Sequence, residues 1–179
     1  MRAMPWVLLG VLIVLAVYLS WTAGRLDRLH ARVEAARAAL DAQLVRRSSV
    51  ALEMATSGLL DPATAMVLAG SAHEAREVGP DEQELAESDL SRALRAVLDQ
   101  PGQPEELRST AEGRLLLREL DAASRRVVMA RRFHNDAVRA TQAVRRKRVV
   151  RYLRLAGHAA MPPTFESDDE PPRCLAREL

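Results

Sequence analysis

The sequence has few of the residues that stabilise small secreted proteins or β-sheets. It contains one cysteine, Cys174, among 179 residues, and aromatic side chains make up only 3%. A single cysteine cannot form an internal disulfide, so the fold does not depend on an oxidising compartment. Hydrophobic residues still make up 48%, and most of them are Ala, Leu and Val. Because sheets favour aromatic and β-branched side chains, this composition predicts closely packed helices.

The patterns of common catalytic and metal sites are also missing. The four histidines share no metal-ligand spacing, and His73-Glu74 lacks the second histidine of H-E-x-x-H. The sequence has no Walker loop, no G-x-G-x-x-G and no C-x-x-C. His134 precedes Asn135 and Asp136, but adjacent helical residues point in different directions, which favours a surface or interhelical histidine. We therefore predict that the protein is not an enzyme and has no catalytic, metal or cofactor site.

One uncharged segment, residues 4–23, is long enough to cross a membrane. At about 1.5 Å of rise per residue, it gives the roughly 30 Å that a hydrocarbon core requires. Trp6 and Trp21 lie near its ends, where the headgroup level favours such rings. A cleaved signal peptide is the alternative, but the segment is long for one and residues 21–25 make a poor cleavage site. We predict a retained transmembrane anchor over residues 1–24.

The charges around this span predict its orientation. Arg25, Arg28, Arg32 and Arg37 follow it closely, whereas only Arg2 and the amino terminus precede it. Basic residues flanking a span favour the cytoplasmic side. We therefore expect a single-pass protein of the cell membrane with most of its chain in the cytoplasm.

The sequence after the span predicts a long first helix that continues the anchor without a break. Apolar and small residues recur from Leu26 to Met54 in a heptad-like stripe, typical of coiled-coil packing, with charge on the opposite face. We expect this helix to end near Gly58. Asp61-Pro62 then supplies an N-cap and a proline at the first position of a second helix.

Two more helices follow in the sequence. Asp81, with Glu84 three residues later, forms a capping-box pattern for the third helix. The fourth helix starts after a turn at residues 101–104 and contains no proline for over fifty residues. We predict an all-α fold, in which the transmembrane helix continues into an antiparallel up-down four-helix bundle over residues 25–156, with long first and fourth helices.

The C-terminal residues 157–179 have a different composition. Prolines and acids dominate residues 162–172. Such a mixture has too few apolar side chains to bury a core. We predict an exposed or disordered tail.

A basic segment lies near the end of the fourth helix. Residues 145–155 carry six basic side chains and no acid. If the fourth helix returns antiparallel to the first, this segment reaches the headgroup plane, where each basic residue contributes about 1 kcal/mol of attraction to anionic lipid. A solvated helix end is the alternative, and nucleic acid is disfavoured. The candidate lipid contacts are Arg145, Arg146, Lys147, Arg148, Arg151 and Arg154.

The same antiparallel register places other charges opposite each other. Arg46 and Arg47 should face the region of Glu112 and Glu119. Asp136 should lie opposite the basic residues that follow the span, where an ion pair or a cap would fix the register. Acidic and basic residues are also separated along the chain, which favours internal pairing first and association with another copy or a partner after that.

Four motifs, in order along the chain, resemble those of the LemA family. They are residues 41–47 (DAQLVRR), residues 86–94 (AESDLSRAL), residues 130–138 (ARRFHNDAV) and the pair Phe165-Glu166. The family pattern that they resemble is D-x-Q-L-x-R-R, A-E-x-x-L-S-x-A-L, Y-N-D-A-V and a closing F-E. The chain departs from the family at Arg37, where a tryptophan is usual, and at Leu52-Glu53, where Pro-Asn is usual.

This resemblance implies a membrane-anchored, antiparallel helical bundle of the bacterial envelope with no established biochemical activity. The residues that it marks as structural are Asp41, Gln43, Leu44, Arg46, Arg47, Glu87, Leu90, Ser91, Asn135, Asp136, Ala137 and Val138. We expect a membrane-tethered interaction or scaffold protein whose partners are membrane lipid and another protein, with homo-oligomerisation as a further possibility. The alternative is binding of nucleic acid or another anionic polymer through the basic segment.

Overall fold

A computed structural model describes residues 4–152 and 160–176, and within these ranges the chain is all-helical, without a strand. The predicted all-α fold class is confirmed. The helices are α1 (Met4–Thr56), α2 (Pro62–Glu77), α3 (Gln83–Leu98), α4 (Gln103–Ser109), α5 (Ala111–Arg145), α6 (Arg148–Tyr152) and α7 (Arg173–Ala176).

The N-terminal part of α1 is long and apolar enough to cross a membrane, by length and composition. Its side chains are exposed, as shown by Trp6 at 74% and Val14 at 70% exposure. Burial begins at Thr22, whose hydroxyl donates a hydrogen bond to the Tyr18 carbonyl at 2.8 Å. The helix passes from the apolar part into the charged part without interruption, so the prediction that the first helix continues the anchor is confirmed.

The chain divides into two compact units. The unit that we call the anchor unit contains Met1–Arg37 and His134–Thr164. The unit that we call the core unit contains Ala38–Phe133 and Phe165–Leu179. Helices α1 and α5 contribute residues to both units.

In the anchor unit, α1 packs against α5 and α6. Leu26 shares a buried cluster with Val144 and Val150. Further along α1, Val33 shares another cluster with Val138. Because residue numbers rise along α1 while they fall along α5, the two helices run antiparallel in this unit.

In the core unit, the largest apolar cluster takes residues from α1, α2, α3, α4, α5 and α7. Helix α3 supplies the largest share of this cluster, from side chains spaced three and four residues apart, which lie on one face of a helix. The largest apolar side chains that α3 buries are Leu90, Leu94, Val97 and Leu98. Each such side chain contributes about 1.5–3 kcal/mol when it leaves water completely, so this face holds α3 in place.

The boundary between α1 and α2 follows the sequence signals. Gly58, just after α1, has a φ of 77°, a left-handed conformation that glycine adopts without strain. The Asp61 side chain accepts hydrogen bonds from the backbone N–H groups of Ala63 at 3.0 Å and Thr64 at 3.1 Å. The predicted N-cap of the second helix is confirmed.

The start of α3 differs from the prediction. Glu82 is the N-cap residue, and its side chain makes no capping hydrogen bond. The Glu84 carboxylate accepts a hydrogen bond from the backbone N–H of Glu166 at 3.0 Å instead. The predicted capping box of Asp81 and Glu84 is therefore wrong, because a tertiary contact uses the Glu84 side chain.

The predicted fourth helix is three helices, α4, α5 and α6, and the break between α5 and α6 follows Arg145. The first break separates α4 from α5. They are separated at Thr110, which has extended backbone and whose hydroxyl accepts a hydrogen bond from the Gly113 N–H at 3.0 Å. A Cβ at Gly113 would lie 2.1 Å from the Leu107 carbonyl oxygen, so the junction requires glycine. No proline marks this break, and for that reason the sequence pattern missed it.

The C-terminal segment packs on the core unit where the structure describes it. Phe165 is 1% exposed and clusters with Leu40, Leu44 and Val127, and Leu175 joins the main cluster. The prediction of an exposed or disordered tail over residues 157–179 is therefore wrong for the part from Phe165 to Leu175. Composition shows that this segment is rich in prolines and acids. It does not show that arginines elsewhere in the chain pair with those acids in the folded protein. Residues 157–159 and 177–179 lie outside the described residues.

Candidate functional site

The basic segment of the anchor unit forms a turn between two helices. Helix α5 ends at Arg145 and α6 begins at Arg148. The Lys147 N–H closes the turn by donating a hydrogen bond to the Val144 carbonyl at 3.1 Å. Arg145 donates to the Ala160 carbonyl at 2.7 Å. The basic side chains that stay exposed are Arg146, Lys147, Arg148 and Arg151, and the predicted contact Arg154 lies outside the described residues.

This basic turn packs against the part of α1 that directly follows the span. Val144 and Val150, on the two sides of the turn, are buried with Leu26. Leu26 follows Trp21 by five residues of helix, or about 7.5 Å. The Arg25 guanidinium lies 5.9 Å from the centre of the Trp21 ring, a cation–π geometry. The basic turn therefore lies beside the end of the span, and lipid contact there stays a prediction, as do the interface roles of Trp6 and Trp21.

Three of the motif residues form a buried polar cluster in the core unit. Arg47 of α1 donates hydrogen bonds to the Ser91 hydroxyl and to the Glu87 carbonyl, both at 3.1 Å, and it also contacts the Glu87 carboxylate. Burial raises the pKa of Glu87, and the positive charge of Arg47 partly opposes this shift. The cluster joins α1 to α3 inside the unit.

The neighbouring Arg46 takes a different direction. Its guanidinium lies 2.7 Å from the Glu119 carboxylate of α5, on the surface, as the antiparallel register predicted. The prediction that Arg47 also faces Glu112 and Glu119 is wrong. Successive helical residues point about 100° apart, so two adjacent arginines cannot both face the same helix.

The remaining motif residues have structural positions. Leu44 and Leu90 lie in core-unit clusters, and Asp41 and Gln43 are half-buried on α1. In the anchor unit, Asn135, Ala137 and Val138 are buried on α5.

Asp136 points away from the packed face of α5. It is exposed and pairs with Arg139, three residues later on the same helix, at 2.7 Å. The prediction that Asp136 pairs with the basic residues after the span is therefore wrong.

A second site, which the sequence patterns did not predict, lies in the core unit. There, residues 165–170 cross α3 and α5 as an irregular segment that we call the strap. Arg95 of α3 contacts the Asp168 carboxylate with both terminal nitrogens. Arg131 of α5 binds the Asp169 carboxylate at 2.7 Å and lies 3.6 Å from that of Glu166. Two arginines from two helices thus pair with three acids.

The α3 face beneath the strap also contacts its backbone. The Glu84 carboxylate and the Ser88 hydroxyl accept hydrogen bonds from the N–H groups of Glu166 at 3.0 Å and Asp168 at 3.1 Å. These acceptors are four residues apart on α3, which places them on one face. The hydrogen bond from Arg95 lowers the pKa of Asp168 and so favours its ionised form.

No family model, curated protein or solved structure matches the chain. The resemblance to the LemA family therefore stays a prediction. Among the described residues, no group of three or more His, Cys, Asp or Glu side chains is arranged to hold a metal ion. In the described part of the chain, the basic turn and the arginine-lined strap site are the arrangements that bear on function.

Proposed function

We propose that the protein is a single-pass, membrane-anchored helical interaction or scaffold protein of the bacterial envelope, and a divergent LemA-like member. The carrying observation is the continuity of α1. One helix supplies an exposed apolar segment of membrane-spanning length and then the buried side chains of both compact units. The span therefore tethers a folded helical body.

Within this proposal, the helices form an antiparallel up-down four-helix bundle, in which the short helix α4 and the long helix α5 together take the place of the last helix. The surface pair Arg46–Glu119 supports the antiparallel placement of α1 and α5. The buried pair Arg47–Glu87 supports the neighbouring position of α3. The proposed role involves no catalysis.

The basic turn gives the protein a second attachment to the same membrane. Its exposed basic side chains lie beside Leu26, just past the span. At about 1 kcal/mol each near an anionic surface, they would hold the anchor unit against the bilayer. The excess of basic residues after the span supports a position of this unit on the cytoplasmic face of the cell membrane.

A depth measurement on the full chain in lipid nanodiscs tests this attachment. A dye at Lys147→Cys, in a Cys174→Ser background, should be quenched by headgroup-labelled lipid. The matched control is Ala140→Cys, exposed on α5 and seven residues, or about 10 Å, before Lys147. We expect at least twofold stronger quenching at position 147, reduced by Arg146→Gln with Arg148→Gln. Equal quenching at both positions contradicts the second attachment.

Orientation and the alternative function have separate tests. C-terminal reporter fusions, one active only in the cytoplasm and one only outside, determine the side of the membrane.

The exposed basic turn also suits an anionic polymer, and in that case DNA binding would fall steeply with salt. Absence of DNA binding at low salt removes this alternative and leaves the scaffold proposal intact.

A further inference from the structure

We propose that the strap site of the core unit recognises an extended acidic peptide of a partner protein, with an aromatic side chain before its acids, and that the strap occupies this site in the free protein. The inference deepens the proposed function, because it assigns a partner chemistry to the interaction protein.

The first support is the way in which the site holds the backbone. Glu84 and Ser88 bind two N–H groups of the strap, and Arg95 donates to the Glu170 carbonyl at 2.8 Å. Contacts to main-chain groups hold an extended peptide whatever its sequence, as they do where a peptide adds to the edge of a sheet. The strap has no helix of its own, so a separate peptide can make the same contacts.

The second support is that two arginines of the site bind two consecutive acidic side chains of the strap. Arg95 and Arg131 bind the consecutive acids Asp168 and Asp169 from different helices, and Arg131 uses both Nε, at 3.1 Å, and a terminal nitrogen, at 2.7 Å. Arginine binds carboxylates with fixed geometry and is the preferred residue for acidic motifs. A neutral peptide would leave these two arginines without their carboxylates.

The third support is the aromatic anchor. Phe165 is 1% exposed, and its cluster contains only three other fully buried side chains, Leu40, Leu44 and Val127. Without Phe165 this small cluster has a hole the size of an aromatic ring. An occupant of the site must therefore supply an aromatic side chain as well as acids.

The fourth support is that the ionic contacts are accessible. The side chains of the Arg95–Asp168 pair are 22% and 35% exposed, and those of the Arg131–Asp169 pair are 18% and 23% exposed. Partly exposed ion pairs exchange partners at little cost, since water solvates the charges during the exchange. A tethered strap acts at an effective concentration in the mM range, so a partner competes only when its own contacts are stronger or the strap is weakened.

The experiment uses the full-length chain in nanodiscs and a fluorescein-labelled peptide with the sequence of residues 163–171, PTFESDDEP. Fluorescence anisotropy measures binding to wild type and to Phe165→Ala, which removes the internal anchor. We expect Phe165→Ala to bind the peptide at least ten times more tightly than wild type. A control peptide with alanine for phenylalanine, and one with amides for the acids, should bind at least ten times more weakly. Adding Arg131→Gln should weaken binding to a similar degree.

Two results overturn the proposal. If Phe165→Ala keeps its helical circular dichroism but binds no peptide, the strap is a permanent part of the fold. If wild type forms dimers with exchanged straps, detected by sedimentation, the occupant is a second copy and not a partner. If Phe165→Ala does not fold, the double variant Asp168→Asn with Asp169→Asn replaces it, because it weakens the strap without emptying the apolar cluster. The affinity of this double variant for the peptide then decides whether the proposal holds. Failure here leaves the nanodisc quenching unchanged, so it is distinguishable from failure of the membrane proposal.

Discussion

Arg47 of α1 and Glu87 of α3 form a buried ion pair in the core unit, with side chains that are 4% and 0% exposed. Removing one member of such a pair leaves an isolated charge in a low-dielectric interior, which costs about 3–5 kcal/mol. We predict that Arg47→Met lowers the unfolding free energy by this amount. Urea unfolding followed by circular dichroism measures it.

The adjacent Arg46 provides the matched control. Its pair with Glu119 lies on the surface, with side chains that are 55% and 36% exposed, and exposed pairs contribute at most about 1 kcal/mol. Arg46→Met should therefore change stability little, although it removes the same group one residue away. Equal losses for the two variants would show that the buried pair has no special role.

Replacing both members of the buried pair gives a second, independent prediction. Arg47→Met with Glu87→Leu removes both charges and leaves no carboxylate to desolvate. Apolar replacements of buried ion pairs are often neutral or stabilising. The double variant should thus be more stable than Arg47→Met alone. A double variant as unstable as the sum of both single changes would contradict this account.

Gly113 supports a prediction about the junction of α4 and α5. A Cβ there would lie 2.1 Å from the Leu107 carbonyl oxygen, too close without a shift of backbone. We predict that Gly113→Ala destabilises the chain by at least about 1–3 kcal/mol, the range for overpacked sites. Thermal unfolding measures this loss.

The control for Gly113 is Gly70, inside α2. An added Cβ at Gly70 meets nothing within 4 Å. Alanine is a better helix former than glycine by about 1 kcal/mol. Gly70→Ala should therefore raise the melting temperature while Gly113→Ala lowers it. Changes of the same sign would contradict the steric explanation.

Elements defined by neighbours in the sequence were predictable, and those defined by distant contacts were not. Asp61 caps α2 with its own side chain and the two N–H groups beyond Pro62, so a few residues contain the whole signal. The break at Thr110 depends on how closely Gly113 approaches Leu107 in the folded backbone, and no composition rule records that distance.

The two candidate sites show the same distinction. The basic turn was visible as a run of charges, and the antiparallel register placed it near the span. The strap site pairs Arg95 with Asp168, 73 residues apart, and the acids alone resembled a solvated tail. An acidic stretch with one aromatic residue, in a chain rich in arginine, was the available signal.

The Arg95–Asp168 pair predicts a pH dependence. The hydrogen bond from Arg95 lowers the pKa of Asp168 below its ordinary value of 3.8. A carboxyl with a lowered folded-state pKa stabilises the fold above its unfolded pKa, and this stabilisation is lost as the pH falls through the folded-state pKa. Asp168→Asn should lower the free energy of unfolding by about 1 kcal/mol or less at pH 7. The difference in unfolding free energy between this variant and wild type should disappear below the ordinary pKa of Asp168.

Comparing the two proteins at each pH isolates Asp168 from other carboxyls. Glu87 acts with the opposite sign, because burial raises its pKa and its ionisation above the ordinary value costs stability. This contribution is common to wild type and Asp168→Asn and cancels in their difference. A stability gap that stays constant from pH 7 to pH 3 would show that the ion pair does not hold the strap.

The reactivity of the Cys174 thiol reports whether the C-terminal helix α7 is packed in the fold. This thiol is half-buried in α7, and burial raises the pKa of Cys174, so less of the reactive thiolate is present. Arg108 donates a hydrogen bond to the Cys174 carbonyl at 3.2 Å, and the Arg173 N–H donates one to the Asp99 carboxylate at 2.7 Å. These two hydrogen bonds hold α7 in place.

We predict that iodoacetamide alkylates Cys174 more slowly in the folded chain than in urea, by at least tenfold at pH 8. Leu175→Ala removes the α7 side chain that joins the main apolar cluster, so it should raise the rate towards the urea value while the helical circular dichroism stays near that of wild type. Arg146→Gln, in the exposed basic turn of the anchor unit, is the control and should leave the rate unchanged. Mass spectrometry of the alkylated protein measures all three rates. If wild type reacts as fast as the unfolded chain, α7 is undocked in solution, and burial of Cys174 cannot be what suppresses its thiolate.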